Sequence, residues 1–104
     1  MTTKKQVPAE AYLIKLVGGS LSFGRLLQSH RISDGISQAE LARKMNISRA
    51  HLCQIEKGEK AVSPARAAAF AKVLGYSEVL FVKVALQDQL KKAHLPFAIT
   101  LQVA

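Results

Sequence analysis

Two short helical segments follow one another near the middle of the chain, and their spacing constrains the fold more than any other feature of the sequence. In ISQAELARKM, Ser37 can cap a helix, and Glu40 three residues later completes a capping box. This helix is predicted over about 38–45, because Asn46 tolerates the left-handed backbone of a helix end.

The next segment, ISRAHLCQIEKG, repeats the pattern, with Ser48 as its cap and Gly58 as its end. About three residues join the two helices. A linker this short forces the helices to cross sharply, since the chain cannot continue in a straight line. The sequence therefore predicts a helix-turn-helix at the centre of the domain.

Three further helices are predicted from the same kind of end signals, which gives five in all. The composition, rich in Ala and Leu and without Trp, also favours an all-α fold. A serine precedes each further helix and a glycine or proline follows it. These flanking residues are Ser22 and Gly35, Ser63 and Gly75, and Ser77 and Pro96.

The last apolar stretch, FAITLQV over residues 97–103, alternates between apolar and small or polar residues and so predicts a short strand. A strand needs a partner, because an open edge aggregates. That partner is either residues 12–17 or another copy of the chain. For residues 11–17 the pattern fits a short helix as well as a strand.

The sequence divides into an N-terminal extension (1–20), a helix-turn-helix core (21–75) and a C-terminal region (76–104). The predicted last helix is apolar on more than one side, which indicates two partners, one of them a second subunit. The candidate dimer contacts are Phe81, Leu86, Leu90, Phe97, Ile99 and Leu101.

The charge balance favours a polyanionic partner. The 104 residues carry 15 Lys and Arg against 7 Asp and Glu, a formal net charge of +8. An excess of this size on so small a domain is typical of nucleic-acid binding, although solubility alone is the simpler interpretation.

Several other classes of function are disfavoured. Cys53 is the only cysteine, the three histidines are dispersed, and no metal spacing appears, so we expect no metal and no other cofactor. No nucleophile elbow, phosphate-binding loop or paired carboxylates indicate an enzyme. No stretch approaches the roughly 18 apolar residues of a membrane span, and no apolar export signal is evident, so a cytoplasmic protein is expected.

One face of the segment 48–58 is the candidate base-reading surface. At 100° per residue, Leu52 and Ile55 define its inward side, and the opposite side is polar or small. Such a helix fits the DNA major groove, where Arg can bond guanine, Gln can bond adenine, and Ala can touch a thymine methyl group. The candidate base contacts are Arg49, Ala50 and Gln54, with His51 and Lys57 beside them.

Other residues are candidates for phosphate contacts, which fix register without reading sequence. Free N–H groups at the starts of the two central helices, beside Gln38 and Ser48, suit phosphate oxygens. Lys57, Lys60 and Arg66 can add charged contacts. The simpler interpretation is a solvated polar helix face, which the short turn and the positive charge make less favourable.

The stretch HRISDGISQAELARKMNISRAHLCQIEKGE resembles the Cro/repressor-type, or Xre-like, helix-turn-helix family. The similar features are R-x-x-x-G-[IL]-S-Q-x-E-L-A, then S-x-x-x-[ILV]-x-x-[IL]-E-x-G, then a helix that starts at Pro and ends in LG. The likeness covers about residues 21–75. Asn46 stands where the family usually has Gly in the turn, and it still tolerates a left-handed backbone.

The resemblance implies a five-helix, lambda-repressor-like domain that binds a palindromic operator in double-stranded DNA as a homodimer. It also implies that Gln38 and Ser48 touch phosphates, and that Arg49, Ala50 and Gln54 face bases. In this family an Arg before the turn pairs with the Glu of E-x-G, which here are Arg31 and Glu56. A lone buried carboxylate would be unfavourable, so the pair is expected to be structural.

Two alternatives stay open beside a transcriptional repressor. Small proteins of this family often act as antitoxins that neutralise a toxin and repress their own operon, and the apolar C-terminal region would then face the toxin. The other alternative is a protein-interaction module that keeps the fold without binding DNA.

Overall fold

The computed structural model describes residues 22–104. Over this range the chain forms five α-helices, and the all-α prediction is confirmed: α1 Phe23–Ser33, α2 Gln38–Met45, α3 Arg49–Glu56, α4 Pro64–Leu74 and α5 Glu78–Lys92. In this part of the chain no helix has the length and apolar character needed to cross a membrane. The choice between helix and strand for 11–17, and the extension 1–20, lie outside the described residues.

Serine side chains cap the N-termini of all five helices. Each serine Oγ accepts a hydrogen bond from the backbone N–H three residues later, at 3.0–3.3 Å. This bond satisfies one of the N–H groups that the first turn leaves without a partner. The predicted helix starts are therefore confirmed at Ser22, Ser37, Ser48, Ser63 and Ser77.

The core lies where α1 and α3 meet the α4–α5 pair. Phe81 of α5 is at its centre, fully buried, with its ring 5.9 Å from the Phe23 ring in an edge-on arrangement. The buried His30 ring stacks 3.8 Å from the Tyr76 ring and 5.6 Å from that of Phe81. Phe81 was expected at a dimer surface; this is wrong, because its side chain fills the core of its own domain.

A close approach of α1 to α3 fixes the position of the helix-turn-helix against the rest of the core. Gly24 is buried where α1 crosses the end of α3, and a Cβ there would lie 2.5 Å from the carbonyl oxygens of Ile55 and Glu56. No other residue type fits at this distance without displacing one helix.

The C-terminal tail, residues 95–104, forms neither helix nor strand, so the predicted strand over 97–103 is wrong. Within residues 22–104, the tail lies along α5 and pairs with no strand. The Gln87 side chain donates from Nε2 to the Phe97 carbonyl at 2.7 Å, and its Oε1 accepts from the Ile99 N–H at 3.0 Å. A side-chain amide thus makes the two bonds that a neighbouring strand would make.

Candidate nucleic-acid interface

The turn between α2 and α3 sets the direction of α3. Asn46 ends α2 with φ 57° and ψ 43°, and the Ile47 N–H then bonds the Ala42 carbonyl at 3.0 Å. This left-handed end reverses the chain and lets α3 begin at Ser48, as the short linker predicts. Leu52, on the inward face of α3, is fully buried. The opposite face of the helix therefore points away from the domain.

A buried ion pair ties α3 to α1. The Arg31 guanidinium donates from Nε to Glu56 Oε2 at 2.7 Å and from Nη2 to Glu56 Oε1 at 3.1 Å. Its Nη1 also donates to the Ile36 carbonyl at 2.9 Å, just before α2. The Glu56 side chain is only 2% exposed. The two residues expected to pair therefore form a two-bonded pair that links α1, the start of α2 and the end of α3.

Gln38 joins the same network. Its Nε2 donates to Glu56 Oε1 at 2.9 Å, and its side chain is half-buried at the start of α2. The carboxylate therefore orients the amide of a residue that was expected to meet a phosphate. The backbone N–H groups at the start of α2 stay directed out of the helix end.

The outward side of α3 has the opposite character. Arg49, Ala50 and Lys57 are exposed, and His51 and Gln54 are half-buried. Among residues 22–104, the side chains of these five make no hydrogen bond or ion pair. A base edge or a phosphate would therefore not have to displace any interaction within this part of the domain.

The remaining candidate contacts belong to the turn before α3, the loop after it and α4. Ser48 and Lys60 are exposed, and Arg66 is half-buried in the first turn of α4. Cys53 is a half-buried free thiol on α3. The part of the chain described here contains no group of three or more His, Cys, Asp or Glu side chains that could hold a metal ion.

Two residues of α5 that are not among the sequence candidates bond the loop after α3. Gln89 Nε2 donates to the Val62 carbonyl at 2.8 Å, and Lys92 Nζ donates to the Gly58 carbonyl at 2.9 Å. Both carbonyls belong to the loop between α3 and α4. The partners are 27 and 34 residues apart, and no local pattern signals such contacts.

A model of the helix-turn-helix family matches residues 27–81, which span α2, the turn, α3 and α4 with the adjoining parts of α1 and α5. The chain belongs to this family, in its Xre-like group. It is a DNA-binding transcription regulator of the helix-turn-helix class. A comparison with curated protein sequences finds no match.

Two solved structures resemble this regulator. The clp gene regulator ClgR from Corynebacterium glutamicum has 29% sequence identity and a TM-score of 0.55, over 69% of this chain and 77% of that one. The restriction–modification controller protein C.Esp1396I has 25% identity and a TM-score of 0.52, over 66% of this chain and 90% of that one.

Proposed function

We propose that the regulator recognises a specific operator by inserting α3 into the major groove of double-stranded DNA. The observation that carries this proposal is the division of α3 into two faces. The inward face is fully buried and bonded, whereas the outward face presents Arg49, Ala50 and Gln54 without any partner in the described chain. The Arg and Gln side chains match the hydrogen-bonding edges of guanine and adenine, and the Ala methyl can contact the thymine methyl group.

The residues around α3 supply the sequence-independent part of binding. The free N–H groups at the starts of α2 and α3, beside Gln38 and Ser48, face phosphate oxygens favourably. Lys57, Lys60 and Arg66 add positive charge, and His51 in the first turn of α3 is a further candidate contact. The net charge of +8 supports this assignment, because phosphate contacts release counterions and dominate affinity.

We further propose a homodimer on a palindromic operator, with the two copies of α3 about 34 Å apart. The C-terminal region supports this interpretation. The Phe97 side chain is 59% exposed, and the other apolar candidates are half-buried along α5 and the tail: Leu86, Leu90, Ile99 and Leu101. A second copy would cover this apolar surface, and an occupied promoter would be repressed. The two similar proteins are a clp gene regulator and a restriction–modification controller protein, which agrees with a regulatory role.

Selection of bound sites from random duplex DNA tests the proposal. We expect inverted half-sites about one helical turn apart, and an affinity that falls steeply with salt. Half-sites in direct repeat would contradict the palindrome. If the regulator binds no duplex above background even at low salt, the protein-interaction module is favoured instead.

The dimer is tested separately by sedimentation. Phe97→Ser should shift the regulator toward monomer, because it removes exposed apolar area without disturbing the core. Ala98→Ser is the matched control, since Ala98 is exposed on the neighbouring position of the tail. Equal association of both variants would exclude the tail as the dimer contact.

A further inference from the structure

The loop after α3 carries part of the proposed phosphate contact. It begins at Lys57 and Gly58 and includes Lys60, whose side chain is exposed. Gly58 has φ 81°, so the chain turns sharply away from α3 at this point. In this part of the chain only one loop side chain, that of Val62, is fully anchored in the core, at 4% exposure. The position of Lys60 therefore depends on what holds the loop backbone.

The last turns of α5 hold this backbone at both ends. Gln89 bonds the Val62 carbonyl at 2.8 Å and Lys92 bonds the Gly58 carbonyl at 2.9 Å. The two side chains are three residues apart and so project from the same side of α5. The Asp88 carboxylate lies 3.7 Å from Lys92 Nζ and helps to hold the ammonium group in place.

We propose that Gln89 and Lys92 are positioning residues for DNA binding, which hold the α3–α4 loop so that Lys57 and Lys60 meet phosphates. The inference rests on the proposed function. Neither side chain needs to touch DNA. A fixed loop loses little further freedom when DNA binds, whereas a loop released from α5 must be ordered again, which weakens binding.

The test measures affinity for the duplex recovered by selection, with Gln89→Leu as the first variant. This change removes a donor without altering charge, so any loss of affinity cannot come from a lost positive charge, and the donor atom is the one that bonds the Val62 carbonyl. Losing one hydrogen bond should weaken binding about 3- to 10-fold. Gln28→Leu, at an exposed glutamine of α1, is the control and should bind as the wild type does.

Lys92→Met is the second variant, and Lys83→Met controls for the charge, because Lys83 is exposed on the same helix. We expect the Lys92 variant to lose more affinity than the Lys83 variant. Lys92→Arg should keep most of the wild-type DNA affinity, since it retains a cationic donor. Because the Lys92 side chain lies on the surface, its replacement should not unfold the protein. The comparison of Lys92→Met with Lys83→Met therefore tests the proposal even if Gln89→Leu unfolds the protein.

A double-mutant cycle separates positioning from direct contact. In the Gln89→Leu background, Lys60→Ala should cost less affinity than it does in the wild type, because the loop is already released. Additive losses, or wild-type affinity of both Gln89→Leu and Lys92→Met, would overturn the proposal. Failure of the proposed function looks different, since the wild-type regulator would then lack salt-dependent duplex affinity altogether.

Discussion

The two faces of α3 differ in what surrounds them, although they share one eight-residue helix. On the inward face, Leu52, Ile55 and Glu56 are buried, and every charged atom of Glu56 has a partner. On the outward face, the side chains of Arg49 and Gln54 contact solvent and make no hydrogen bond within the described chain.

This difference teaches how one short helix can carry both stability and recognition. The inward residues contribute free energy of folding through burial and a paired charge. The outward residues contribute little to folding, so their identity is free to suit the operator that we propose they recognise. Substitutions on the two faces should therefore separate into losses of stability and losses of base preference.

The largest expected effect is that of Glu56→Ala. It leaves Arg31 buried without its counter-charge, which should lower the free energy of unfolding by about 3–5 kcal/mol. Thermal or denaturant unfolding measures the loss. Glu59→Ala is the control, because Glu59 is an exposed glutamate close by and its removal should change stability by less than about 0.5 kcal/mol.

An unchanged melting temperature in Glu56→Ala would show that the ion pair between Arg31 and Glu56 does not stabilise the fold. A second variant sharpens the comparison. Replacing both partners with apolar residues, as in Arg31→Met with Glu56→Leu, should recover much of the lost stability, because no unpaired charge is left behind. Wherever the variants stay folded, base preference should match that of the wild type.

The next effect comes from Gly24→Ala in α1. Helix propensity alone favours Ala over Gly by about 1 kcal/mol. Here the added Cβ would meet two backbone oxygens at 2.5 Å, so α1 must move away from α3. Overpacking should win and give a net loss of about 2 kcal/mol, measured by denaturant unfolding.

Gly35→Ala provides the comparison for Gly24→Ala. Nothing lies within 4 Å of a Cβ at Gly35, and its cost is backbone strain at φ 70° alone, about 1–2 kcal/mol. The Gly24 variant should also show altered protection of α3 amide hydrogens, whereas the Gly35 variant should not. A stabilising Gly24→Ala would mean that α1 does not press on α3.

Local chemistry explains which parts of this fold could be predicted from the sequence. Helix starts depend on a serine and the N–H three residues later, and helix ends depend on residues such as Asn46 that accept a left-handed backbone. Both signals lie within one turn of the residues they act on. The capped helices and the inward direction of Leu52 could therefore be predicted without knowing the tertiary structure.

Contacts across the chain explain what could not be predicted. A helix that is apolar on two sides does not reveal which side is the core, so Phe81 was placed on the wrong one. The alternation in 97–103 does indicate an extended segment, but only the position of Gln87 shows that a side chain takes the place of a second strand. Gly24 within a helix was the one available signal of a close backbone approach.

On the outward face, Arg49→Ala is expected to change recognition and not folding. Loss of a bidentate bond to a base should remove about 1–3 kcal/mol of discrimination at one operator position. The melting temperature should stay within experimental error, because the Arg49 side chain has no partner in the described chain. Arg43→Ala, at an exposed arginine of α2, removes the same charge and should weaken all duplexes alike.

Competition between the selected duplex and single-base variants measures this discrimination. A loss confined to one base pair supports a base contact of Arg49. A uniform loss, equal to that of Arg43→Ala, would instead assign Arg49 to a phosphate, and the outward face would then read sequence through Gln54 and Ala50.

The smallest effect tests the boundary between the two faces. Ser48 caps α3 by accepting from the His51 N–H at 3.0 Å, and it is also a proposed phosphate neighbour. Ser48→Ala should lower stability by about 1 kcal/mol and weaken DNA binding as well. Ser77→Ala removes the equivalent cap of α5, where Oγ accepts from the Leu80 N–H at 3.1 Å, and should lower stability by a similar amount.

Both serine variants lose a helix cap, and they differ only in which helix the cap belongs to. The difference between their DNA affinities therefore measures how much DNA binding depends on the start of α3. Affinity measured well below both melting temperatures should fall in Ser48→Ala and stay near the wild-type value in Ser77→Ala. Equal affinities would show that the cap acts only on folding. The start of α3 would then belong to the inward, structural set, and recognition would begin at Arg49.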